Sequence, residues 1–140
     1  MAIRLRSSAL CVENERLLMV RLEDPKTKRL YLFPPGGGIE KGELPTAAAV
    51  RETREETGYR VKIDPETESV LRYPFEWNGV AFDCTTFFYL ARLADDAPPA
   101  EVNDALYHRG VVWLPLDEVV TQFSYHPVLS GAVRKLLRLS

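Results

Sequence analysis

Between Pro35 and Tyr59 the chain reads Pro-Gly-Gly-Gly-Ile-Glu-Lys-Gly-Glu and then, after a short apolar run, Arg-Glu-Thr-Arg-Glu-Glu-Thr-Gly-Tyr. No other stretch restricts the fold as much. A helix from Thr46 to Thr57, turning about 100° per residue, places Glu52, Glu55 and Glu56 within an arc of roughly 100°. Acidic neighbours three and four apart repel, and the last turns of a helix already disfavour negative charge through the macrodipole. A helix built only for packing has no reason to carry this patch. A divalent cation reverses the sign of the cost, because hard ions such as Mg²⁺ prefer carboxylate oxygens and commonly bring substrate phosphates with them.

The flanks agree. Gly36, Gly37 and Gly38 give a backbone free of side chains that can approach a ligand, and Gly42 allows a second turn. Pro45 suits the first turn of a helix, and Gly58 suits the left-handed position just past its end. Ala47, Ala48, Ala49 and Val50 propagate the helix with small side chains. The face opposite the glutamates, with Ala47, Val50, Thr53 and Thr57, is expected to lie against a sheet.

Gly37, five residues, Glu43, seven residues, then Arg51 to Tyr59 resembles the Nudix box over twenty-three consecutive positions. Every fixed Gly, Glu and Arg position of that pattern is present, a far more specific signal than a lone glycine-rich loop. Thr53 and Tyr59 depart from it, standing where the family usually has aliphatic residues. The resemblance implies that Glu52, Glu55 and Glu56 bind Mg²⁺ or Mn²⁺, that Gly37 offers a backbone carbonyl to the ion, and that Arg51 pairs with Glu43 to hold loop and helix together. It also implies hydrolysis of a phosphoanhydride in a nucleoside diphosphate linked to another group. Family members often add one more carboxylate from a later loop, and Glu101 or Asp104 is the candidate here. A proline about fifteen residues past the box marks the ADP-ribose-hydrolysing group, and Pro74 stands fifteen residues after Tyr59. Nucleoside triphosphates are the competing substrate class, and a non-catalytic nucleotide-sensing module is the alternative of another kind.

The remaining sequence frames that reading. The length of 140 residues, with 46% hydrophobic and 27% charged content, suits one domain over 1–140 with a real core. A net charge of −2 and the lack of a basic run argue against a nucleic-acid polymer as partner. No stretch has the length of a membrane span, and the start has no long apolar leader. Cys11 and Cys84 lack metal-site spacing and suggest a reduced, cytoplasmic protein without a disulfide framework. The partner that the resemblance implies is a small nucleotide; oligomeric state is left open, a homodimer included.

Strands are expected from Ile3 to Val12, Arg16 to Leu22 and Leu30 to Phe33, the last delivering the chain to a glycine loop. Ser69 to Trp77 and Val80 to Leu93 flank Asn78-Gly79, the strongest short signal for a two-residue hairpin turn. That turn sets Trp77 opposite Val80, Phe75 opposite Phe82, Tyr73 opposite Cys84 and Ser69 opposite Phe88. Pro74 then belongs at a sheet edge or bulge. Residues 94–109 form an acidic loop, Gly110 to Leu114 a strand, and Pro115 to Val120 the opening of a short helix. A last helix from Pro127 to about Leu139 has an apolar stripe of Val128, Leu129, Ala132, Val133, Leu136 and Leu137. His126 sits at its entry, and His108 lies near the acidic loop. The architecture expected is α/β, a Nudix-like α/β/α sandwich with a mixed sheet between the box helix and the carboxyl-terminal helix.

Overall fold

The computed structural model describes residues 1–102, 107–123 and 125–139. Its strands are β1 (Ala2–Glu13), β2 (Arg16–Glu23), β3 (Leu30–Phe33), β4 (Gly36–Gly38), β5 (Val61–Ile63), β6 (Ser69–Trp77), β7 (Val80–Leu93) and β8 (His108–Pro115). Its helices are α1 (Pro45–Thr57), α2 (Val119–Gln122) and α3 (Pro127–Leu136), with single 3₁₀ turns at Pro65–Thr67 and Leu116–Glu118. No helix among the described residues is long and apolar enough to cross a membrane.

The sheet is mixed. β1 runs parallel to β7 from Ala2 opposite Phe82 to Cys11 opposite Ala91, and every other pairing is antiparallel. β1 is the hinge of the architecture, pairing on its other edge first with β4 and then, through Val12 and Glu13, with β2. β2 carries β3 and β8, and β7 carries β6 and β5. The β6–β7 hairpin has the register that its turn dictates, all nine pairs from Trp77–Val80 to Ser69–Phe88. Asn78 and Gly79 take φ of 51° and 75°, the left-handed pair that matches strand twist.

Alternation along β1 and β2 divides the core into two layers. Leu10, Leu17 and Met19 face Val119, Phe123, Leu129 and Val133 of the carboxyl-terminal helices. Ala9, Cys11 and Leu18 face Ala49 of α1, together with Val61, Tyr89 and Ala91. The α/β/α sandwich is thus built from one sheet with an apolar surface on each side.

Several local expectations change. The glycine run is a strand, not a loop: Gly36, Gly37 and Gly38 pair with Ser8, Ser7 and Arg6 of β1. A side chain at Gly36 would meet the Ser7 carbonyl at 2.6 Å, so only a bare backbone fits there. β8 begins at His108 rather than Gly110, and the element after Pro115 divides into a 3₁₀ turn and α2. α3 ends at Leu136, and Val128 is exposed rather than part of its buried stripe. On α1 the buried positions are Ala48, Ala49, Thr53 and Thr57, while Ala47 faces solvent. At about 100° per residue, Glu52 and Glu56 fall between the directions of Ala48 and Ala49. They lie on the seating face itself and not opposite it, because the side-chain-free β4 leaves room for them.

Candidate active site

α1 is placed by its ends. Pro45 opens it, and Gly58 closes it at φ 78° with its N–H on the Arg54 carbonyl. The two residues that depart from the box pattern are satisfied locally. Thr53 donates its hydroxyl to the Ala49 carbonyl at 2.7 Å and Thr57 donates to that of Thr53 at 2.6 Å, so both polar groups are accommodated in a buried face. Tyr59 packs edge-on against Trp113, whose indole N–H reaches its hydroxyl at 3.2 Å.

Arg51 is the organising cation. It grips Glu43 with two parallel bonds, Nε to Oε2 at 2.8 Å and Nη2 to Oε1 at 2.9 Å, and the same Nη2 reaches the Gly38 carbonyl at 2.9 Å. Its Nη1 contacts Glu52 at 2.8 Å and Glu55 at 3.3 Å. Glu43 also accepts the Glu40 N–H, and the Arg51 bonds followed by that one bring its carboxyl down to about 2. These contacts hold the segment after β4 to the helix.

The three glutamates differ in surroundings. The Glu55 side chain is 59% exposed, whereas that of Glu52 is 16% exposed. Glu56 turns inward and accepts the Gly36 N–H at 3.3 Å. Burial, then the Glu52 carboxylate beside it, push the Glu56 carboxyl well above its ordinary range. Gly37 closes the arrangement, since a Cβ there would stand 2.5 to 2.7 Å from the Glu52 carboxylate atoms. Glu52 therefore occupies the space that a side chain at 37 would fill. Among the described residues no three His, Cys, Asp or Glu side chains converge as a finished metal cage. What fits a hard cation is the donor set: a half-buried pair of carboxylates with a third beside it, all oxygen donors.

The three glutamates and the glycine strand line a cavity of about 570 Å³, whose lining also includes the aromatic residues Phe33, Phe75, Trp77 and Tyr107. Phe33 meets Phe75 and Trp77 edge-on at 5.5 and 6.1 Å between ring centres. Arg4 and Arg6, which the sequence reading did not single out, line the same cavity; their alternation along a strand was the available signal. His108 also lines it, while its Nε2 lies 2.8 Å from the Glu56 carbonyl and its Nδ1 accepts the Gly110 N–H. Glu101 is exposed and is not brought to the cavity wall; Asp104 lies outside the described residues. Pro74 points away from the cavity, exposed on the edge strand β6. A second, shallow groove of about 680 Å³ between α3 and β6 has no carboxylate among its lining residues and offers none of this chemistry.

Residues 3–136, which include the glycine strand and the carboxylate-bearing helix packed on it, match the NUDIX domain family. The chain belongs to it. It is 31% identical over 116 residues to the ADP-sugar pyrophosphatase of Mus musculus, covering 79% of this chain and 50% of that protein. It is 38% identical over 84 residues to Nudix hydrolase 25 of Arabidopsis thaliana, covering 49% of this chain and 46% of that one. The chain thus spans about half the length of these two curated relatives. The fold is similar to that of a NUDIX hydrolase from Nitrosomonas europaea, with a TM-score of 0.72 at 20% identity over 96% of this chain and 88% of the other.

Proposed function

We propose that the chain is a pyrophosphohydrolase that cleaves the phosphoanhydride of a nucleoside diphosphate linked to another group. The observation that carries this reading is the inward-facing Glu52–Glu56 pair, set against Gly37 in a cavity with aromatic residues in its lining. Glu52, Glu55 and Glu56, with the Gly37 carbonyl, would hold a divalent ion, Mg²⁺ or Mn²⁺. When bound, such an ion neutralises pyrophosphate oxygens and makes water a better nucleophile. The chain's own residues do the rest. Arg51 and Glu43 fix the helix against β4, so that the carboxylates stay in register with the glycine backbone. The glutamate cluster, acting as a set, accepts the proton from the attacking water. Phe33, Phe75, Trp77 and Tyr107 offer ring faces and edges to a nucleobase.

Within that class we favour a nucleotide-sugar such as ADP-ribose, supported by the resemblance to the ADP-sugar pyrophosphatase and by Pro74 fifteen residues beyond the box. Nucleoside triphosphates are the second reading, since the same aromatic residues are equally open to their bases. We take residues 1–140 to act as one domain, and the two unpaired, buried cysteines suit a reducing cytoplasm. The test is a panel of ADP-ribose, other nucleotide-sugars and nucleoside triphosphates with purified protein. ADP-ribose should yield two monophosphates only with Mg²⁺ or Mn²⁺ present, and turnover should stop with a chelator. Undiminished turnover in metal-stripped protein would sink the assignment of the glutamates. Triphosphates turned over at least about tenfold more efficiently than every diphosphate-linked compound would move the reading to the second class.

A further inference from the structure

Arg4 and Arg6 are alternate residues of β1, so both side chains leave the same face of the strand. Opposite them on β7 stand Cys84 and Thr86, and the two arginines share one cavity with the three glutamates. Arg51 is engaged by carboxylates on several sides. Among the described residues, by contrast, neither Arg4 nor Arg6 takes part in a salt bridge. The Arg4 guanidinium lies 4.9 Å above the Phe82 ring, which fixes its direction and leaves its N–H edge open. Arg6 lies near the Tyr73 hydroxyl and the Glu56 carboxylate, and a guanidinium carries its charge at any ordinary pH.

The cavity therefore carries both signs of charge, with three carboxylates and two guanidiniums in its lining. A site that only concentrated cations would be weakened by these arginines. Guanidinium forks match phosphate oxygens, and two of them on alternate residues of one strand offer two separate grips where a single phosphate needs one.

We propose that Arg6 and Arg4 form an anion track that grips the phosphate chain of the substrate, Arg6 next to the carboxylates and Arg4 one phosphate further out. They are specificity-determining residues for diphosphate-bearing nucleotides. This deepens the hydrolase reading and rests on it for the identity of the site, but it is testable without turnover.

The experiment is calorimetric titration of ADP and of AMP into the full chain in excess chelator, with Arg6→Gln, Arg6→Lys and Arg4→Gln beside the parent. The parent should bind ADP more tightly than AMP. Arg6→Gln should remove that preference, Arg6→Lys should keep part of it, and Arg4→Gln should reduce it, because Arg4 is exposed and its loss does not threaten the fold. With a divalent ion and ADP-ribose, the same variants should raise KM by more than they lower kcat. Equal binding of ADP and AMP by the parent overturns the proposal, as does an unchanged preference in both glutamine variants. If Arg6→Gln fails to fold, Arg4→Gln decides. Turnover with unchanged nucleotide binding in the variants would leave the hydrolase reading standing and remove the track. An arginine-dependent ADP preference in a chain that hydrolyses nothing on the panel would do the reverse.

Discussion

Gly37 and Glu56 show how single atoms set this site. The space that a Cβ would need at Gly37 is already taken by the Glu52 carboxylate, and φ at Gly37 is not in the left-handed region. Gly37→Ala should therefore leave the backbone intact, since the far end of Glu52 can swing aside, but it should displace that carboxylate. We expect turnover to fall about 100-fold with a nearly unchanged melting temperature. A variant that keeps parental turnover would show that Glu52 does not need its observed position. Burial first, and the Glu52 carboxylate beside it second, raise the pKa of Glu56, so its charge is held at a cost, and Glu55 adds a third carboxylate. Glu55→Gln and Glu56→Gln should each reduce turnover by about 100-fold or more, while the metal-free protein melts at the same temperature or higher. In Glu56→Gln the new amide retains an oxygen for the Gly36 N–H. If either variant melts well below the parent yet stays active, that glutamate is structural.

At the scale of elements, α1 carries the site with an incomplete amino terminus. Leu44 occupies the cap position with φ −72° and ψ 145°, offers no side-chain acceptor, and is 69% exposed. The helix is held instead by the Arg51–Glu43 fork, by Ser7, whose hydroxyl donates to the Pro45 carbonyl at 2.6 Å, and by His108 beneath the Glu56 carbonyl. Leu44→Ser supplies an oxygen for the N–H groups of Thr46 or Ala47 and removes an exposed leucine. We expect about 1 kcal/mol of added stability, read as a rise of several degrees in the melting temperature. No gain would mean that Leu44 is covered by something else in solution. The other end of α1 was legible in the sequence because Gly58 needs its left-handed φ. The direction of the seating face was not, because it depends on β4, a strand of three glycines with no side-chain pattern by which a strand is recognised.

For the whole molecule, what was legible follows the range of the forces involved. The β6–β7 register came from two turn residues, and the glutamate cluster from the helical period. The parallel pairing of β1 with β7 joins segments about eighty residues apart, and no local pattern specifies it. It is this pairing that carries Arg4 and Arg6 into the cavity. Long-range ties of another kind hold the acid limb of stability. Asp24, in the connection between β2 and β3, is 2% exposed and accepts the N–H groups of Lys26 at 2.8 Å, Thr27 at 3.2 Å and, from the hairpin turn, Asn78 at 3.2 Å. Burial acts to raise its pKa, and the three backbone bonds outweigh that, so its carboxyl lies below the ordinary value. Glu13 is held down first by Arg92 and then by the Leu93 N–H, and Asp83 by Arg72. A carboxyl depressed in the folded state contributes stability above its unfolded pKa, about 3.9 for Asp and 4.3 for Glu, and loses it as pH falls through the folded value. Glu56 has the opposite sign: its raised pKa favours the folded chain below about 4.3 and that contribution fades as pH rises. In chelator, the melting temperature should thus fall steeply only below about pH 4. Asp24→Asn should melt lower than the parent at pH 7 and lose less between about pH 5 and pH 3, because its side chain cannot be protonated in that range. Melting curves of the two proteins across that interval provide the check. Parallel curves would show that Asp24 does not contribute to the acid limb and that the other depressed carboxyls account for it.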